Sequence, residues 1–142
     1  MARPYIGGSN AAIVDVTAST TLQLSDHGKT FMLDGSGVEA AVLAVTLPAV
    51  SNKGMEFTFI CKGIGNEAAE DIEIVQAASD EDFVGFIADA AGTKDSPHVS
   101  DTKIIFDQSG GAAAGDWVRL VSDGTSWYVF GMCAAASNVV FG

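Results

Sequence analysis

Apolar and polar residues alternate in short runs along most of the chain, and turn-forming residues separate one run from the next. Successive side chains of a strand point to opposite faces of a sheet, so this period of two predicts half-buried β-strands. Runs that follow one another every 8–12 residues or so are typical of an all-β sandwich or barrel. The predicted strands are Ala12–Val16, Thr21–Leu24, Thr30–Leu33, Ala41–Leu47, Met55–Cys61, Asp71–Val75, Phe83–Ile87, Lys103–Phe106, Trp117–Val121, Trp127–Met132 and Asn138–Phe141. We therefore expect one domain over residues 13–142, an antiparallel β-sandwich or jelly-roll-like barrel.

The strongest hairpin signal lies in Gly115–Met132, where two β-type runs flank Asp123-Gly124. This dipeptide suits the positive φ angles of tight hairpin turns. A two-residue loop would pair Leu120 with Trp127, and a four-residue loop would shift that register but keep the same side chains on one face. One face is expected to pack in the core, and the other is the best candidate for a seam between subunits. The candidate interface residues on that second face are Trp117, Arg119, Tyr128 and Phe130.

Charge restricts the kinds of partner that we expect. The chain has 18 acidic and 7 basic residues and a formal net charge of −11. Such a surface repels a polyphosphate backbone, so we expect no nucleic-acid partner. The longest apolar stretch, Ala40–Val50, is too short to span a bilayer, and no secretory signal follows the N-terminus. The sequence therefore predicts a protein made in a cytoplasm, with no membrane partner.

Two cysteines, Cys61 and Cys133, each end an apolar run. Cysteine is among the most buried residue types, so we expect two buried free thiols, with a disulfide as the alternative. The sequence has no Cys-x-x-Cys or Cys/His spacing typical of a metal site.

Candidate catalytic residues are few. His27 lies in a predicted turn and His98 in a predicted long surface loop, Ala88–Asp101, and no Gly-x-Ser-x-Gly elbow is present. The acidic cluster Asp80–Asp82 lacks the ligand spacing of an EF-hand loop, so it is interpreted as a solvated acidic face. We expect no enzyme, no catalytic residue, no metal and no cofactor.

Three stretches, in this order, resemble a known group of proteins. They are LSDHGKTFML at Leu24–Leu33, VTLPAVSNKGMEFTFI at Val45–Ile60, and the hairpin core Val118–Val129. Together they resemble small virion proteins of tailed bacteriophages, notably capsid decoration (cementing) proteins and some head- or tail-fibre domains. The resemblance covers about residues 20–132. It implies a rigid β-body that stands as a homotrimer on the capsid exterior and clamps the major capsid protein.

Two end segments extend beyond this β-body. The N-terminal arm, Met1–Ala12, is rich in turn-forming residues, and the tail Ser137–Gly142 is apolar. Either is expected to cross to a neighbouring subunit and add a strand to its sheet edge. The residues predicted to contact the capsid or a neighbour are Arg3, Pro4, Tyr5 and Ile6.

One alternative function stays open. An all-β body with the exposed loop Ala88–Asp101 also suits a ligand- or receptor-binding module, such as a fibre tip or a carbohydrate-binding domain.

Overall fold

The chain folds into strands that stack as two sheets. The computed structural model describes residues 12–37, 41–65, 70–78 and 81–142. Within these ranges the strands are β1 Ile13–Val16, β2 Thr20–Thr21, β3 Thr30–Asp34, β4 Leu43–Thr46, β5 Glu56–Gly63, β6 Ile72–Val75, β7 Asp82–Asp89, β8 Lys94–Asp95, β9 Lys103–Phe106, β10 Trp117–Ser122, β11 Ser126–Cys133 and β12 Val139–Phe141. A 3₁₀ turn, Leu24–Asp26, joins β2 to β3. The all-β sandwich expected from the sequence is confirmed.

The two sheets are mixed. Seven strands form one sheet in the order β1-β3-β5-β10-β11-β7-β8, and five form the other in the order β12-β9-β6-β4-β2. The first six strands alternate between the sheets, so β1, β3 and β5 run parallel to one another, as do β2, β4 and β6. A chain that crosses through the opposite sheet re-enters the first sheet in its original direction, whereas antiparallel neighbours are joined by hairpins. The antiparallel, jelly-roll-like pairing expected from the sequence is therefore corrected for these strands.

Alternation along the strands decides which side chains enter the core. In the β10–β11 hairpin, Val118, Leu120, Trp127 and Val129 are fully buried, while the alternate residues face away from the other sheet. This confirms the assignment of faces made from the sequence. The core is most aromatic around Phe57, because rings from three strands of the seven-stranded sheet meet there. The rings are Phe31, Phe57, Phe59 and Trp127, with neighbouring centroids 5.4 to 6.4 Å apart.

The hairpin register matches the longer of the two predicted loops. Ser122 pairs with Trp127, which is the register of a four-residue connection, although Ser126 already belongs to β11. The Asp123 carboxylate accepts hydrogen bonds from the backbone N–H groups of Thr125 and Ser126, both at 2.8 Å. These two bonds hold the pKa of Asp123 below its usual value, and the bond from Ser126 contributes most. The aspartate thus organises the turn from within.

The predicted long loop, Ala88–Asp101, is largely a hairpin instead. Residues 88 and 89 end β7, and β8 pairs back onto β7 in antiparallel fashion. The buried carboxylate of Asp89 accepts hydrogen bonds from the N–H groups of Ala91 (2.9 Å) and Thr93 (2.7 Å), and Gly92 supplies the positive φ of the turn. A buried acid that binds its own turn stabilises this hairpin, which leaves only residues 96–101 as a loop.

The apolar tail belongs to the body of the domain. Strand β12 pairs with β9 at the edge of the five-stranded sheet, and the Phe141 N–H donates to Asp95 of β8 at 2.8 Å. The Phe141 ring also packs against Phe83 of β7, with centroids 5.9 Å apart. The expectation that the tail crosses to a neighbour is corrected. The arm residues Arg3, Pro4, Tyr5 and Ile6 lie outside the described residues.

In the described part of the chain, no helix is long and apolar enough to cross a membrane.

Candidate functional site

The seven-stranded sheet carries apolar side chains on both of its faces. One face packs in the core, and the alternate residues of the same strands form the opposite surface, which we call the outer face. Its apolar residues come from β3, β5, β7, β10 and β11, and Arg119 of β10 lies between them. The members are Met32, Ile60, Val84, Phe86, Trp117, Arg119, Val121, Tyr128, Phe130 and Met132.

Strand register brings the sequence-predicted interface residues together. Phe130 lies directly opposite Arg119, and Trp117 opposite Met132, in the β10–β11 ladder. Tyr128 lies one step along the same face of β11. All four predicted residues, Trp117, Arg119, Tyr128 and Phe130, therefore share the outer face.

Sequence reasoning missed the contribution of β7. Val84 lies opposite Tyr128, and Phe86 lies opposite Phe130, because β7 pairs with β11 in parallel. The Phe86 and Phe130 rings meet edge to face at 6.1 Å. The period-two pattern of Val84 and Phe86 was visible in the sequence, but nothing in it placed β7 beside β11.

The apolar side chains at the centre of this surface are unusually open. Val84 is 40% exposed, Tyr128 37%, Phe130 46% and Met132 51%. Contiguous exposed apolar patches are uncommon on soluble monomers and mark sites of interaction. Lys94 of β8 covers part of the patch, with its ammonium 4.8 Å from the centre of the Phe86 ring, a cation–π arrangement.

The charges on the outer face nearly cancel. Arg119 pairs with Glu56 at 2.9 Å, and Lys62 pairs with Asp15 at 2.9 Å and approaches Asp34 at 3.9 Å. Adding Lys94 and the exposed Asp82 gives three basic and four acidic groups on this face. Since the whole chain carries −11, the acidic excess lies on other surfaces. A near-neutral aromatic face on an acidic protein can approach a like-charged copy with little repulsion.

The outer surface of the five-stranded sheet is different. There Lys103 pairs with Glu73 at 2.6 Å, and Thr46 lies on the same face. Among the described strands of that sheet, no large apolar side chain is as exposed as those of β7 and β11. The exposed apolar surface of the described strands therefore lies mainly on the seven-stranded sheet.

The histidines lie in turns at the sheet ends and are exposed, as expected. His27 accepts a hydrogen bond from the Glu56 N–H through Nδ1 at 3.0 Å, and the His98 ring lies 3.3 Å from the Asp101 carboxylate. Each histidine thus takes part in local turn structure.

The acidic cluster is not a solvated face throughout. Glu81 is buried and accepts hydrogen bonds from the Val50 N–H (2.9 Å) and from the Trp127 indole N–H (3.3 Å). Asp82 is exposed, and Asp80 lies outside the described residues. The prediction is corrected at Glu81, because a buried tryptophan needs an acceptor for its N–H.

A second buried carboxylate, Asp116, joins three segments at the start of β10. It accepts hydrogen bonds from the N–H groups of Ala113 (2.9 Å) and Ala134 (2.8 Å) and from the Asn138 side-chain amide (3.0 Å). Asp116 carries no such signal in the sequence, since an aspartate beside Gly115 is typical of an exposed turn. Its role is to fix the loops around the outer-face hairpin.

Both cysteines are buried free thiols, which confirms the sequence prediction. Burial, with a further contribution from the Asp116 charge, raises the pKa of Cys61 to about 11. Burial also raises the pKa of Cys133. Thiolates are the reactive form of cysteine, so both side chains are expected to react slowly.

Across the described residues, no group of three or more His, Cys, Asp or Glu side chains is arranged to hold a metal ion. Comparison of the chain with protein-family models, with curated proteins and with solved structures finds no match.

Proposed function

We propose that this chain is a non-enzymatic structural protein of a tailed-phage virion. In this proposal it binds the exterior of an assembled capsid as a homotrimer and stabilises the shell through contacts with the major capsid protein. The observation that carries the proposal is the outer face, an exposed aromatic surface on a rigid β-sandwich. The sequence resemblance to decoration proteins supplies the virion context.

The size of the outer face suits a subunit contact. From β3 to β7 the apolar surface crosses four strand spacings, about 19 Å, and its β11 residues, Tyr128 to Met132, extend about 17 Å. Its flat projection is therefore roughly 320 Å², and relief from side chains increases the accessible area. A standard stable interface buries about 800 Å² on each partner. The apolar surface therefore supplies the centre of such an interface, and polar residues around it complete the contact.

Aromatic character supports the same contact. Interface cores are enriched in aromatic residues, Met and Arg, and depleted of other charged residues. Tyr128, Phe130, Met132 and Arg119 have this composition at the centre of the face, and the ion pairs of Lys62 lie toward β1. We infer that the seam between subunits forms around Phe130.

Light scattering of the purified chain tests the homotrimer. Phe130→Ser removes a half-exposed ring from the seam, and we expect the mass to fall from that of a trimer toward that of a monomer. Leu24→Ser is the matched control, since Leu24 is 53% exposed but lies in the 3₁₀ turn. The control should remain a trimer. A wild-type chain that is monomeric at micromolar concentration would contradict the proposal.

Capsid binding is tested with empty shells of the phage that encodes the chain. We expect co-sedimentation and a higher melting temperature of the decorated shell. A protein that leaves the shell unchanged but is retained specifically on host-surface glycans would instead support the ligand-binding module.

A further inference from the structure

The two lateral ends of the sandwich differ. At one end, β8 and β12 are tied together across the sheets by the Phe141 N–H bond to Asp95. At the other end, β1 and β2 are the last strands of their sheets and are joined directly by residues 17–19. A groove of about 380 Å³ opens beside them. It is lined by residues of β1, β2 and their connection, and also by Leu22 after β2, Asp26 of the 3₁₀ turn and Phe31 of β3.

On the side away from β3, strand β1 has no neighbouring strand among the described residues, and we call this side its free edge. The Thr30 N–H donates to the Ala12 carbonyl, which fixes the alternation of the parallel β1–β3 ladder. The backbone groups of residues 12, 14 and 16 face β3, so those of Ile13 and Asp15 face away from it. The Ile13 side chain is 70% exposed. An edge with open N–H and C=O groups and an apolar side chain is a template for another strand.

We propose that residues 1–11 of a second copy bind in this groove and pair with the free edge of β1. The inference rests on the proposed self-association and extends it, because it assigns a receptor site for the arm. The occupant is a segment of the same sequence and no other protein is required.

Charge favours this occupant. The only charged residue among residues 1–11 is Arg3, with a charge of +1. Since the whole chain carries −11, residues 12–142 carry −12. The arm is therefore cationic and the body strongly anionic, and two acids, Asp15 and Asp26, line the groove itself. Both acids already pair with lysines, at 2.9 and 2.7 Å, so the attraction is toward the body as a whole.

The length and the composition of residues 1–11 also favour this segment as the occupant of the groove. Eleven extended residues span up to about 36 Å. A folded domain of this length has a radius of gyration of about 14 Å, so the arm can cross to a neighbour. Tyr5 and Ile6 supply apolar side chains for the groove, and Gly7-Gly8 lets the backbone change direction before β1. The outer face belongs to the same sheet as β1, so a copy seated on that face lies near the groove.

Site-directed cross-linking tests the proposal. Ile6→Cys on one copy and Ala18→Cys on another, one of them carrying a size tag, are coexpressed and treated with a short bis-maleimide. Ser100→Cys is the matched control for Ala18→Cys, because it is also exposed but follows β8 at the far end. Cys61 and Cys133 are buried and should stay unlabelled. We expect a covalent heterodimer with Ala18→Cys at a yield at least ten times that of the control.

A second variant separates edge pairing from folding. Ile13→Pro removes an N–H that faces away from β3, and proline is tolerated at such an edge position. We expect an unchanged melting temperature and a cross-linking yield that falls to the control level.

The outcomes separate the two proposals. A wild-type trimer with no arm–groove cross-link, or with a cross-link only inside one doubly substituted chain, overturns the arm site and leaves the homotrimer standing. A monomeric wild-type chain overturns both.

Discussion

Gly85 of β7 sits beneath the outer face, between Val84 and Phe86, and its replacement tests the geometry of the whole site. Its φ is +131°, a conformation that side-chain-bearing residues rarely adopt. A Cβ at this position would overlap the Val129 carbonyl oxygen and lie 3.0 Å from the carbonyl carbon. Val129 is the register partner of Gly85 on β11. Gly85→Ala must therefore push β7 away from β11.

Two costs contribute to the expected loss of stability. The unfavourable φ costs an alanine about 1–2 kcal/mol. Overpacking against a neighbouring backbone adds about 1–3 kcal/mol, and the strand cannot yield without losing ladder hydrogen bonds. We expect the free energy of unfolding to fall by about 2–5 kcal/mol. For a domain of this size each kcal/mol corresponds to about 2–4 °C of melting temperature, more in smaller domains.

Gly92→Ala is the control that isolates the overlap. Gly92 has a φ of +86°, but a Cβ there has no atom within 4 Å. Urea unfolding of both variants should show Gly85→Ala to be less stable than Gly92→Ala by at least about 1–3 kcal/mol, because only Gly85 combines a positive φ with a backbone overlap. Equal losses would refute the close β7–β11 approach on which the Phe86–Phe130 contact depends.

Three further substitutions test buried polar groups. Asp116→Ala leaves two N–H groups and the Asn138 amide without their acceptor, at a cost of about 1–3 kcal/mol each. Urea unfolding should therefore show that the free energy of unfolding falls by several kcal/mol, and a fall of less than about 1 kcal/mol would contradict this role. Gln76→Met should raise the melting temperature, because both polar atoms of the Gln76 side chain are buried without a hydrogen-bond partner among the described residues; a lower value would reveal a polar partner. Cys61 has a folded-state pKa of about 11 against 9.0 for the free thiol, so the unfolded chain ionises first, and stability should be lost as the pH rises from 9.0 toward 11. Urea midpoints measured across this range should show the loss in the wild type and a smaller one in Cys61→Val.

The sequence predicts the strands and their faces well, because the period of two is a local property. Ten of the eleven predicted runs overlap β1, β3 to β7 and β9 to β12 in chain order. The eleventh, Thr21–Leu24, contains only the end of β2 and the start of the 3₁₀ turn, and β8 was not predicted. The faces of the β10–β11 hairpin follow from the same alternation and do not depend on the loop length. The candidate interface residues Trp117, Arg119, Tyr128 and Phe130 could therefore be placed on one face from the sequence alone.

The sequence does not predict which strands are neighbours in a sheet, because pairing is decided by packing between distant segments. The chain crosses between the sheets after each of its first strands, and no local signal distinguishes such a crossing from a hairpin of similar length. For this reason neither the parallel pairs nor the position of Phe86 beside Phe130 could be predicted from the sequence.

Buried acids escaped prediction for a related reason. Glu81 and Asp116 look like surface residues in sequence, since Glu81 lies between two aspartates and Asp116 follows Gly115. Their burial depends on donors that the fold brings from far along the chain, the Trp127 indole in one case and Asn138 in the other. Only the assembled structure shows that these carboxylates are acceptors for otherwise unsatisfied donors.

Charge distribution connects the fold to the proposed assembly. Copies that each carry −11 repel one another, and contact through an acidic surface would increase that cost at close range. The outer face avoids it, because Arg119 and Lys62 are neutralised within the same copy by Glu56 and Asp15. Repulsion between copies therefore acts mainly at longer range, where salt screens it beyond about 8–10 Å. If the outer face is the seam, added salt should strengthen the homotrimer, whereas a seam built on ion pairs between copies would weaken; light scattering across a salt series distinguishes the two.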